Sequence, residues 1–171
     1  MKKENEQINP SAADPVRTQF DIFLSLITVT VVVFTDRFLK IYFSKVLALG
    51  ESCPVIRNVV HMTLVHNTGI AFGLFKNQGI IFIIIPITAI ILLAFNIYYY
   101  RSNKENLSRM YIVAFSLILG GAIGNLIDRI TFGYVIDFID FRIWPVFNVA
   151  DSAITIGAGI ILLVTSMKKI S

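Results

Sequence analysis

The sequence predicts an all-α membrane protein: four transmembrane helices carrying a small extracytoplasmic region that is β-like or amphipathic. Three observations carry this expectation. Hydrophobic residues make up 56% of the 171-residue chain and charged residues only 15%, whereas soluble domains hold roughly 45–50% and about 25%. Mean hydropathy is +0.74, and a soluble globule of this size has too much surface to cover with so few polar side chains. The apolar residues also gather into four separate runs. The length fits one domain and is too short for two sizeable ones.

Residues 1–17 are polar, contain Pro10 and Pro15, and are expected to form a flexible cytoplasmic tail. Residues 18–171 are then a single transmembrane domain. No signal peptide is expected, because the first apolar run lacks a small-residue cleavage site and leads straight into a charged helix. That run, 22–35, carries no charge. It is shorter than the roughly 20 residues a span needs, and becomes long enough only if Asp36, Arg37 and Lys40 continue the helix. The second run, 79–100, is uncharged, with Pro86 inside it and Tyr98, Tyr99 and Tyr100 at its end. A proline kink is tolerated among neighbouring helices, and the tyrosines suit the interfacial belt. The third run, 110–127, stops at Asp128, and the fourth, 146–167, carries Asp151 near its start.

Four spans put both termini on one side. Eight basic residues fall on that side and seven on the other, which orients little. The local signal is better: Arg101, Lys104 and Arg109 crowd one loop, and Lys168-Lys169 follows the last span. By the positive-inside rule both termini are cytoplasmic. Segments 41–78 and 131–147 are then extracytoplasmic, as strands or as amphipathic pieces on the bilayer surface. The net charge of +4 comes from basic residues flanking the apolar runs, so it points to a membrane surface and no nucleic acid. The lone Cys53 rules out an intramolecular disulfide and any multi-cysteine cage. His61 and His66 are too few for an all-histidine zinc site, and no metal or other cofactor is expected.

Ionisable groups at membrane depth cost about 2.5–3.5 kcal/mol each on insertion scales, so they usually pair or act. Asp36 and Lys40 are four apart, acid first, which favours an ion pair on one helix face. Asn125 and Asp128 end the third span, and Asn148 and Asp151 begin the fourth. Each Asn-x-x-Asp set projects from one helix face, and the two helix ends lie at the same outer membrane level. Gly120, Gly121 and Gly124 allow the helices to approach closely. Asp128 and Asp151 are therefore expected to meet near the bilayer surface. Two close carboxylates share a proton, and such a pair can activate water and protonate a leaving amine. The bland alternatives are that Asp128 caps its helix beside Arg129 and that Asp151 only complements a helix dipole. A proton-coupled transporter would show repeats with binding at the midplane, and a membrane scaffold would not need its aspartates. Ser152 has no evident lysine or histidine partner. His66, Asp137 and Asp140 are expected at the surface or as orienting groups, and Cys53 as a packed thiol.

The blocks His66-Asn67-Thr68-Gly69-Ile70-Ala71-Phe72, Gly120 through Arg129, Val135-Ile136-Asp137-Phe138 and Phe147 through Ile154 resemble the signature blocks of lipoprotein signal peptidase, also called signal peptidase II. Asp36-Arg37-Phe38-Leu39-Lys40 resembles that family's first-helix block. The resemblance implies a bacterial intramembrane aspartyl endopeptidase that removes signal peptides from prolipoproteins, cutting just before a diacylglyceryl-modified cysteine. It implies that Asp128 and Asp151 are the catalytic dyad. Asn67, Gly69, Asn125, Arg129, Asn148 and Ala150 would be pocket positions that hold the substrate backbone or orient the dyad, with Asp36 and Lys40 supporting the fold. Arg37 departs from the family, which often has an uncharged polar residue there. The implied partners are diacylated prolipoproteins, membrane lipid and a cyclic peptide inhibitor such as globomycin. The chain is expected to act as a monomer in the cytoplasmic membrane, with its site near the extracytoplasmic face. The aromatic outer segments, including Phe72 and Trp144, are expected to close over the cleft.

Overall fold

A computed structural model describes residues 15–69 and 108–170, together with Ile84, Ile87, Thr88, Ile90, Ile91 and Phe95. Helix α1 spans Pro15–Val46, α2 Arg109–Phe132 and α3 Val149–Ile170. Strands β1 (Ser52–Ile56), β2 (Val60–Asn67) and β3 (Val135–Asp140) lie between them in the chain. Most of the expected tail and of the second span, the 101–107 loop and Phe72 lie outside the described residues. Among the described residues three helices are long and apolar enough to cross a membrane.

Each of these helices outruns its uncharged core. Pro15 opens α1, where its missing N–H costs nothing and its fixed φ suits the first helical position. The helix carries on through Asp36, Arg37 and Lys40 because those charges find partners inside the protein. Helix α2 likewise passes through Asp128 and Arg129 before Gly133 ends it in the left-handed region at φ 79°, its N–H donating to the Arg129 carbonyl at 3.0 Å. Ser108 caps the other end by accepting from the Met110 N–H.

The extracytoplasmic expectation of strands or amphipathic pieces resolves into strands. They form one antiparallel sheet in the order β1-β2-β3. Val65 faces Asp137 and Asn67 faces Val135 across β2 and β3. After β3 the chain turns back, and Ile139 and Phe147 exchange backbone hydrogen bonds of 2.8 and 3.0 Å, which delivers the chain to the start of α3. Cys53, expected to be packed, is exposed, because β1 is an edge strand with most of its side chains turned outward.

Helix α2 packs against both α1 and α3, and its glycines set how closely. A Cβ on Gly121 would run into the Ala150 carbonyl oxygen and lie 2.8 Å from Ile154 Cγ1, and one on Gly124 would sit 2.8 Å from Asp36 Oδ2. The polarity of the bundle is inverted relative to a soluble protein. Phe23, Leu26, Phe34 and Leu162 are exposed, while among the six largest fully buried side chains of the described residues only Phe138 is apolar; the others are Lys40, Asn148, Asp36, Asp128 and Asp137. A bilayer solvates the first set. The second set is too costly to bury unless it is paired or used.

Candidate active site

The first turn of α3 fixes one carboxylate. Asn148 is the cap: its Oδ1 accepts the Asp151 N–H at 2.8 Å, and Asp151 Oδ2 accepts the Asn148 N–H at 3.3 Å. This reciprocal capping leaves the Asp151 side chain at the positive end of the helix dipole. Its other oxygen accepts from Asn125 Nδ2 on α2 at 2.7 Å.

Strand β3 supplies a second carboxylate, Asp137. Asn148 Nδ2 donates to its Oδ1 at 2.7 Å and Asn67 Nδ2 to its Oδ2 at 2.9 Å. Asn148 Nδ2 also lies 3.1 Å from Asn125 Oδ1 and 3.3 Å from the Ile136 carbonyl. Asn148 and Asn125 thus bridge the two aspartates. Asn67 in turn accepts the Gly69 N–H at 3.0 Å, which shapes the loop leaving β2. Burial, then the neighbouring Asp151 charge, pushes Asp137 up to about 7, against the hydrogen bonds from Asn67 and Asn148 and the attraction of Lys40.

Asp137 and Asp151 open onto a cavity of about 610 Å³ between β2, β3, α2 and α3. Asn67, Gly69, Asn125 and Arg129 line it too, and Trp144 to Phe147 form one wall. The Arg129 charge faces Asp151, Asp137 and Asp128. His66, on the cavity wall, stacks on Tyr134 with ring centroids 4.0 Å apart. Ser152 donates back to the Asn148 carbonyl at 2.9 Å. Among the described residues no three His, Cys, Asp or Glu side chains converge as a metal-ion site.

Asp128, expected to meet Asp151, is held by other partners. It is fully buried and is not among the cavity-lining residues. Arg37 binds its Oδ1, while Lys40 Nζ at 2.8 Å and the Ile136 N–H at 3.1 Å take its Oδ2. The physical reason is the charge on α1: two cations one turn apart draw Asp128 away from the cavity. The expected Asp36–Lys40 pair is present at 2.7 Å. Asp36 also accepts the Ala150 N–H at 2.9 Å, so Ala150 contributes a backbone amide to this buried cluster and no surface to the cavity. Asp137, assigned by the sequence to the surface or to orientation, carried two signals: it interrupts an apolar run, and that run is one of the signature blocks.

A profile described as signal peptidase (SPase) II matches residues 28–167. The chain belongs to the signal peptidase II family. It is 45% identical to the lipoprotein signal peptidase of Halothermothrix orenii over 137 residues, 80% of this chain and 91% of that one. It is 44% identical to that of Caldanaerobacter subterraneus subsp. tengcongensis, over 79% and 90%. A solved bacterial membrane enzyme superposes with a TM-score of 0.76 at 34% identity, covering 85% of this chain and 88% of that one. A second gives 0.71 at 33%, covering 82% and 91%. This signal peptidase II is a membrane peptidase, and the activity of its family is the removal of signal peptides from prolipoproteins.

Proposed function

We propose that this signal peptidase II hydrolyses the bond before a diacylglyceryl-modified cysteine with Asp137 and Asp151 as its catalytic dyad. The observation that carries this reading is that these two carboxylates line one cavity, bridged by Asn148 and Asn125. Asp128 pairs with two cations instead. The charge inventory agrees. Asp36, Asp128, Asp137 and Asp151 face Arg37, Lys40 and Arg129, so a single proton held at Asp137 balances the cluster.

A water between the two carboxylates gives a proton to Asp151 and attacks the scissile carbonyl carbon, while Asp137 protonates the carbonyl oxygen. The tetrahedral diol then collapses: the amide nitrogen takes the proton from Asp151, the C–N bond breaks as the carbonyl re-forms, and one diol hydroxyl returns its proton to Asp137, so the dyad is again singly protonated. Asn67, Gly69 and Arg129 hold the peptide backbone in the cavity, and Asn125 orients Asp151. The acyl chains of the substrate keep its cysteine at the bilayer surface, so a dyad at that depth meets a scissile bond already concentrated in two dimensions. The enzyme sits in the cytoplasmic membrane with both termini inside and this cavity at the outer face. It works as a monomer, and a cyclic peptide of the globomycin type blocks it by occupying the same cavity.

The test is a gel-shift assay on a diacylated prolipoprotein with purified Asp137→Asn, Asp151→Asn and Asp128→Asn in detergent. Asp137→Asn and Asp151→Asn are expected to lose cleavage entirely, with Asp128→Asn retaining a slowed rate. Wild-type cleavage by Asp137→Asn refutes the dyad.

A further inference from the structure

Lys40 is fully buried on α1 and is paired with neither dyad carboxylate, yet each of the three groups its ammonium meets lies one bond away from the segments that hold them. It donates to Asn125 Oδ1 at 3.0 Å, and Asn125 Nδ2 donates to Asp151. It forms an ion pair with Asp128 Oδ2 at 2.8 Å, the same oxygen that accepts the Ile136 N–H, one residue before Asp137. A second ion pair joins it to Asp36 Oδ2 at 2.7 Å, and Asp36 Oδ1 accepts the Ala150 N–H, one residue before Asp151.

The Asn125 branch carries chemical information. A carboxamide presents an acceptor at one end and a donor at the other, and an ammonium can only donate. With Lys40 beside it, the oxygen of Asn125 must turn toward Lys40 and its NH2 toward Asp151. Asn148 Nδ2, also a donor, reinforces that choice at 3.1 Å from the same oxygen. An uncharged side chain at position 40 removes the charged donor that holds this oxygen, leaving the amide tethered there by Asn148 Nδ2 and its aim at Asp151 looser. The other two branches hold the backbone on either side of the cavity: β3 through Asp128 and the first turn of α3 through Asp36.

We infer that Lys40 is a positioning residue for catalysis: through Asn125, Asp128 and Asp36 it fixes how Asp151 and Asp137 face each other. This rests on the Asp137–Asp151 reading of the site. Its action is on the chemical step and not on substrate binding, because Lys40 does not line the cavity.

The experiment measures kcat and KM for cleavage of a diacylated prolipoprotein in detergent, with thermal unfolding of every variant. Lys40→Met alone strands Asp36, so the charge-balanced Lys40→Met/Asp36→Asn is made beside it. Both are expected to lower kcat by about 10²-fold, the scale of a small misplacement of reacting groups, with KM within about threefold of wild type. Asn125→Ala is expected to lower kcat as well, and Lys40→Met/Asn125→Ala to fall short of the product of the two single losses by tenfold or more, since both act along one chain of contacts. Wild-type kcat in the charge-balanced variant, or losses that multiply fully, overturns the proposal. Asp137→Asn is run in the same assay: if it cleaves normally, it is the dyad reading that fails, independently of Lys40.

Discussion

Replacing Asp137 with asparagine separates the electrostatics of the site from its packing. Burial, and then the Asp151 charge, raise this carboxyl from its ordinary 3.8 to about 7. The difference of about three units corresponds to roughly 4 kcal/mol. Because the folded value lies above the unfolded one, the unfolded chain releases this proton first as pH rises. The stability that Asp137 contributes is therefore fully present below about pH 4 and lost as pH climbs through about 7. Asparagine has no proton to lose. Its NH2 faces a donor, Asn67 Nδ2 or Asn148 Nδ2, a mismatch of roughly 1–3 kcal/mol that is the same at every pH and cancels in a comparison across pH. Thermal unfolding of wild type and Asp137→Asn in detergent, from pH 4 to pH 8, is the assay. The difference between them is expected to move in favour of the variant by up to roughly 4 kcal/mol, most of it before pH 7, while cleavage is absent throughout. Parallel unfolding curves across that range would refute the electrostatic argument.

Gly121→Val places a side chain against the Ala150 carbonyl and Ile154; it is expected to destabilise the protein by roughly 1–3 kcal/mol or more as overpacking, and to abolish cleavage by moving Asp151, as read by unfolding temperature and gel shift. Trp144→Ser removes a side chain that is 62% exposed on the cavity wall; it is expected to slow processing several-fold with the unfolding temperature unchanged, and unchanged processing discards a covering role for that segment.

Within a helix the sequence was a sound guide to the site, and between segments it was not. The one-face placement of Asp36 and Lys40 follows from the 3.6-residue repeat, which is the same in every helix, and the pairing of Asn148 with Asp151 follows from the cap at the start of α3. The closeness of α2 to its neighbours was visible in Gly120, Gly121 and Gly124, since only glycine leaves room there. Which carboxylates reach the cavity beside Asp151 depends instead on where a strand begins and on its register. Gly133 ends α2 and β3 starts at Val135, so Asp137 comes to lie beside Asn148 while Asp128 remains one turn inside the helix. Nothing local to Asp128 announces that Arg37 and Lys40, some ninety residues earlier in the chain, will claim it. The one hint was Arg37 itself, a second cation on a face that already held Lys40.

The four aspartates divide by the kind of donor that meets them. Asp36 and Asp128 form ion pairs with ammonium and guanidinium groups, while the amides of Asn67, Asn125 and Asn148 donate directly to Asp137 and Asp151. A buried carboxylate matched by a cation is committed to structure, because removing either partner strands a charge at a cost of about 3–5 kcal/mol. A pair held by neutral amides keeps its geometry whether it carries one charge or two, and proton exchange with substrate requires that freedom. The cations on α1 thus do for Asp128 what the asparagines avoid doing for Asp137. Moving charge into the amide positions should convert a proton-sharing pair into a fixed one. Asn148→Lys supplies a cation where Asp137 now has an amide and is expected to abolish cleavage in the gel-shift assay while the cooperative unfolding transition is retained; cleavage near the wild-type rate would refute this division of the aspartates.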